Sequence, residues 1–122
     1  MIVRRLEERD EIKALDDTRV REILNPNHDE GDLLLGYSLA HAIVAPNAES
    51  LPHRFKEASE VYFILKGRGL MHVNDETAEI GVGDTVYIPP GATQYVENLT
   101  SETLEFLCMV SPPWTPDSEE RV

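Results

Sequence analysis

The sequence predicts an all-β domain, folded as a sandwich or a closed barrel. Three observations carry that. Runs of β-forming residues recur, with turn signals roughly every 8 to 12 residues. From Leu51 to Asn98 these runs are closed by glycine or proline at regular places, as in Gly67-Arg68-Gly69 and Pro89-Pro90-Gly91. No helical period persists long enough for a parallel α/β sheet, and nothing repeats at the roughly 20–50-residue spacing of an array.

Taken in order, Met1–Arg5 is short and β-capable. Residues 6–15 are charged, with Leu6, Ile12 and Leu15 as apolar points, and suit a short helix or an irregular turn. Val20–Leu24 reads as a strand, and Asn25–Asp32 is dense in turn formers. Leu33–Val44 reads as a long strand with Ser38, Ala40, Ala42 and Val44 on one face. Tyr37, Leu39, His41 and Ile43 fall on the other. Glu60–Lys66 is the strongest strand signal. Its two faces are both apolar apart from the ends, so a cover is expected on each. Gly67 marks a hairpin turn that needs a positive φ. Short strands follow at Leu70–Asn74, Ala78–Ile80, Thr85–Ile88, Thr93–Glu97 and Thr103–Val110. Residues 112–122, with three prolines and a run of charges, read as a tail without an element of its own. The expected division is an N-terminal segment over 1–32, a barrel over 33–111 and a tail over 112–122.

At 122 residues the chain is long enough for one self-sufficient core. The formal net charge of −12 argues against nucleic acid or an anionic membrane as partner. A single cysteine excludes an internal disulfide and a cysteine-only zinc site. No segment has the length of a signal peptide's apolar run or of a membrane span. A soluble cytoplasmic protein is expected. Val61, Phe63 and Leu65, on the face opposite Glu60, point to a homodimer.

Two stretches carry polar groups suited to a site. His53 and Glu60 lie in L-P-H-R-F-K-E-A-S-E, and Gln94 lies in P-P-G-A-T-Q-Y-V-E-N. These stretches resemble the two motifs of the cupin superfamily. The first has the pattern G-x5-H-x-H-x(3,4)-E-x6-G. His53, Glu60 and Gly67 match it, while Phe55 stands at the second histidine and Asn47 at the leading glycine. The second has the pattern G-x5-P-x-G-x2-H-x3-N. Gly83, Pro89, Gly91 and Asn98 match, and Gln94 stands at the histidine. The resemblance implies a double-stranded β-helix, or jelly-roll, barrel with its site inside. It also implies a divalent transition metal, such as iron, manganese, zinc or nickel, which the family commonly holds through three histidines and a glutamate.

In this chain the metal ligands would be His53, Glu60 and Gln94: an imidazole, a carboxylate and an amide oxygen at three corners of a coordination shell. The same three groups also suit a metal-free hydrogen-bonded cluster in which Gln94 bonds both others. Tyr62 shares the inward face of Glu60, and the two are the candidate catalytic acid/base residues. Phe55 is either an apolar plug or a stacking ring. Ala40 and Ala42 leave room for a ligand. If Phe106 points inward, so does Cys108, as a small hydrophobe or a pocket thiol. His41 is expected on the outer face, and His72 is a candidate fourth ligand. Two function classes stay open. One is a metal-dependent isomerase, epimerase or dioxygenase. The other is a metal-free barrel that binds or senses a small molecule without turnover.

Overall fold

A computed structural model describes all residues, 1–122. Eleven strands form two antiparallel sheets. The first sheet holds β1 (Glu11–Lys13), β2 (Arg19–Leu24), β3 (Ser38–Val44), β10 (Leu104–Ser111), β5 (Ser59–Lys66) and β8 (Thr85–Ile88), in that order. The second holds β11 (Glu119–Arg121), β4 (His53–Phe55), β9 (Gln94–Glu97), β6 (Arg68–Val73) and β7 (Glu76–Gly81). Sequence-distant strands pair throughout, as β3 with β10 and β4 with β9. The two sheets face each other as the walls of a double-stranded β-helix barrel.

Alternation decides what faces inward. Along β10 burial alternates strictly, and Leu104, Phe106, Cys108 and Val110 point in. The register sets Val110 beside Glu60, Cys108 beside Tyr62 and Phe106 beside Ile64. On the other flank Phe106 meets Ala42, and Cys108 meets Ala40. Apolar side chains fill one end of the barrel: Val44, Ile64, Met71, Ile88, Val96 and Leu104 are all buried. Each large one contributes roughly 1.5–3 kcal/mol by leaving water. Toward the other end the inward row turns small and polar, through Ala40, Ser38 and Glu60, and a cavity opens.

Turn residues close this frame. Gly67 has φ +83°, and a Cβ there would lie 2.5 Å from the Thr103 carbonyl oxygen, so only glycine fits between β5 and β6. Asn98 is fully buried after β9. Its amide nitrogen donates to the carbonyls of Val44, Ala45 and Glu102, and its oxygen accepts from the Thr100 amide and hydroxyl. It ties the end of β3 and the turn after it to the β9–β10 loop at the closed end.

Three expectations need correcting. The long strand expected from Leu33 begins at Ser38, because its ladder partners on β10 end there, at Val110. Residues 112–122 are not without an element. Ser118 and Thr115 close a turn, and the chain returns as β11 against β4. Trp114 packs with Phe55, Ala58 and Val110, its backbone amide donates to the Ser38 hydroxyl, and its carbonyl accepts from the buried Asn25 amide. Burial of that indole and those backbone bonds outweigh the local effect of the prolines. His72 points outward, stacked on Tyr95 and bonded to Glu97, and joins no site.

Candidate functional site

The cavity measures about 430 Å³, within the usual range for a small-molecule site. β3 contributes Ser38, Ala40 and Ala42, while β5 contributes Glu60 and Tyr62. β10 adds Phe106, Cys108 and Val110, and β4 adds His53 and Phe55. Two further walls were not foreseen. The turn before β2 brings Asp16, and β11 brings Glu119.

Glu60 is 94% buried, which follows from its 6% exposure, and its Oε1 has no hydrogen-bond partner. Burial raises its pKa well above the usual carboxylate range, and the charges of Glu119 and Asp16 push the same way. The Gln94 amide lies close enough to oppose this by favouring the ionised form, although its Nε2 makes no well-aligned bond. Glu60 is therefore a carboxyl group that keeps its proton to higher pH than an exposed glutamate does.

His53 is held by its ring. Nδ1 lies 2.9 Å from the Leu51 carbonyl oxygen, which only accepts, so Nδ1 carries a hydrogen. In the neutral ring Nε2 is then the acceptor, and it is the nitrogen left for the cavity. Asp16 stands 3.6 Å from Nδ1 and is itself fixed by the Thr18 amide and hydroxyl.

Tyr62 donates to Gln94 Oε1 at 3.0 Å, and its ring packs on Phe106 at 4.3 Å. Burial raises its pKa first, and Glu60 adds to the shift. The Cys108 thiol donates to the Ala40 carbonyl. Burial pushes its pKa well up, which keeps it a protonated, unreactive wall residue. Glu119 is likewise raised by desolvation, with His53 and Trp114 working in the opposite direction.

The residues expected at the site thus divide. His53, Glu60, Tyr62, Phe55, Ala40, Ala42, Phe106 and Cys108 all line the cavity. Gln94 lies behind it, fully buried and opposite His53 in the β4–β9 ladder. Phe55 is mainly packing, against Ala58, Val110 and Trp114. His41 is buried on the outer face, paired with Glu105 at 3.1 Å. Asp16 and Glu119 were missed. For Glu119 the available signal was Thr115-Pro116-Asp117-Ser118, a turn formula that leaves 119–122 as an extended return.

These side chains do not fit a bound transition metal. No three of the histidine, cysteine, aspartate and glutamate side chains converge as a ligand set. The Gln94 oxygen accepts from Tyr62 and its amide nitrogen is no ligand, while Phe55 stands where a second imidazole would be needed. Of the expected ligand set, His53 and Glu60 line the cavity, while Gln94 lies behind it. Gln94 accepts from Tyr62, and its amide lies near Glu60.

Comparison with known proteins agrees with the barrel. Residues 40–110 match the family model described as a cupin domain. The chain belongs to the cupin family. An uncharacterized protein of Methanocaldococcus jannaschii is 39% identical over 105 residues, covering 86% of this cupin and 82% of that protein. Among solved structures, a predicted oxalate decarboxylase of Thermotoga maritima superposes with a TM-score of 0.74 at 24% identity, over 91% of this chain and 99% of that one. A variant of Streptomyces PAC13 with uridine superposes with a TM-score of 0.78 at 16% identity, over 100% of this chain and 90% of that one. At these identities the structures speak for the fold alone.

Proposed function

We propose that this cupin binds a small polar organic molecule inside its barrel and acts on it by proton transfer, with Glu60 as the acid and His53 as the base. The observation that carries this is the buried Glu60 Oε1 without a partner on the wall of a 430 Å³ cavity. A buried polar atom left unpaired costs roughly 1–3 kcal/mol, and a ligand group that pairs with it recovers that. The chemistry of the pair follows from its environments. A carboxyl group kept protonated donates to a carbonyl or hydroxyl oxygen, and a neutral imidazole accepts a proton from an adjacent carbon or oxygen. Together they suit isomerisation, epimerisation or loss of water, with proton removal and delivery balanced between them. Uridine, held by the PAC13 neighbour, is also a small polar molecule, which favours this ligand size.

The test is a thermal-shift screen of sugars, nucleosides and hydroxy acids on protein purified without chelator or metal-affinity resin, its metal content measured in parallel. Ligands that raise the melting temperature are then incubated in D2O and followed by NMR. Deuterium uptake that is lost in Glu60→Gln and His53→Gln is the expected result. Stabilisation without exchange supports the second class, a barrel that binds without turnover. Stoichiometric metal in the purified protein would overturn the metal-free chemistry.

A further inference from the structure

The charged groups around the cavity are unevenly matched. Lys13 is engaged by Asp17 at 3.4 Å, and Glu22 by His28 at 2.9 Å and by the Asn25 amide. Asp16 is fixed by Thr18. Two carboxyl groups stay without a cationic side chain within ion-pair distance, Glu60 and Glu119, and no arginine lines the cavity. The hydroxyl of Tyr62 and the thiol of Cys108 are both spent on protein acceptors. Glu60, its proton favoured by burial, offers a donor, while Glu119, whose ionised form Trp114 and His53 already favour, and His53 Nε2 offer acceptors. A carboxylate ligand would meet the like charges of Asp16 and Glu119.

We infer that Glu119, delivered by the C-terminal strand, is the recognition group for a positively charged end of the ligand, so that the barrel takes an organic amine and excludes carboxylates. This rests on the proposed small-molecule reading and narrows it. Three observations support it. Glu119 is the ladder partner of Phe55, so the two share a face and the strand brings a carboxyl group beside a position that holds no polar side chain. Phe55 and Trp114 give the uncharged part of such a ligand an apolar surface. Deeper in, the Oε1 of the buried Glu60 has no hydrogen-bond partner and is open to a ligand group. Glu119 is also less enclosed than Glu60, as a group that meets a ligand at the mouth must be. A cation beside it favours its ionised form, offsetting the burial that raises its pKa.

The experiment uses three probes of one shape: phenethylamine, phenethyl alcohol and phenylacetate. Each is titrated calorimetrically into the full chain after chelator treatment, in mildly alkaline buffer where the amine is still protonated. The expected order is amine, then alcohol, then carboxylate. The first step should be roughly 10- to 100-fold, as for a hydrogen bond to a charged group. Glu119→Gln should weaken the amine more than the alcohol and so remove the preference, and Glu119→Asp should restore part of it. The ranking on the unaltered protein decides the question even if a variant fails to fold. Equal or tighter binding of the carboxylate overturns the inference. So does an equal loss for all three probes in Glu119→Gln, which marks a structural role. Binding of the alcohol with no preference for the amine overturns it while the small-molecule reading stands. Failure of every probe overturns it too, and the deuterium-exchange screen then judges the broader reading separately. Tight binding of Mn(II) alone, lost in Glu119→Gln, assigns the carboxyl group to an inorganic cation and overturns the organic one.

Discussion

Replacing Asn98 by alanine should weaken the fold severely and leave the cavity's chemistry intact. Asn98 is fully buried and lies outside the cavity lining. Alanine would strip partners from the carbonyls of Val44, Ala45 and Glu102, and from the Thr100 amide and hydroxyl. The donor reaching three carbonyls has only two hydrogens, so about four net bonds are lost. At about 1 kcal/mol each, the cost is about 3–4 kcal/mol. For a domain of this size each kcal/mol moves the melting temperature by about 4 °C, so a drop of about 12–16 °C is expected. Thr100→Val removes one of those bonds and should cost about 1 kcal/mol. Calorimetric melts of both variants, with guanidinium titrations at one temperature, give the numbers. A loss for Asn98→Ala below about 1 kcal/mol would show that water replaces the amide, and the tie between the two loops would be refuted.

Other outcomes follow from the same structure. Glu60 has a raised pKa in the folded state, so its contribution to stability is present at low pH and is lost as pH rises through that folded value; Glu60→Gln should flatten the alkaline side of the melting-temperature curve, and parallel curves would contradict the assignment. Phe55→His with Gln94→His should raise Zn(II) or Ni(II) affinity by more than the roughly 10–100-fold that supporting residues confer; a folded double variant that binds no tighter by chelator competition shows that His53 and Glu60 do not aim at one centre. We propose a homodimer through the outer face of the six-stranded sheet, where Phe63, Leu65 and Tyr87 are exposed in the single chain. Light scattering should give twice 13.8 kDa and Phe63→Asp should give the monomer, while a monomeric parent protein counts against the interface.

The parts legible in the sequence were those encoded locally. Strand alternation placed Tyr62 with Glu60 and Cys108 with Phe106, because a period of two leaves no freedom once one residue is assigned. Glycine and proline spacing located the turns, since Gly67 is required by backbone geometry and not by any distant partner. What stayed hidden depends on long-range pairing. β11 forms only because β4, more than sixty residues earlier, offers it an edge. Asp16 reaches the cavity because its carbonyl accepts from the Leu51 amide, a contact with no local signature. The partner of Gln94 was misjudged for the same reason: sequence shows which residues face inward, but not that the hydroxyl of Tyr62 would reach the amide oxygen before His53 does.

The two departures from the family motif make sense as one change. With Phe55 in place of a second imidazole, the floor of the cavity becomes apolar and draws in Trp114, Ala58 and Val110. That packing holds the end of the chain against β4, and β11 then sets Glu119 beside Phe55. With Gln94 in place of the last imidazole, the amide links the hydroxyl of Tyr62 to the neighbourhood of Glu60. Burial raises the pKa of Glu60. Reverting Phe55 alone would undercut the packing that carries Glu119, and reverting Gln94 alone would leave Tyr62 without its acceptor. The two positions are tied to different partners, Phe55 to Trp114 and Gln94 to Tyr62.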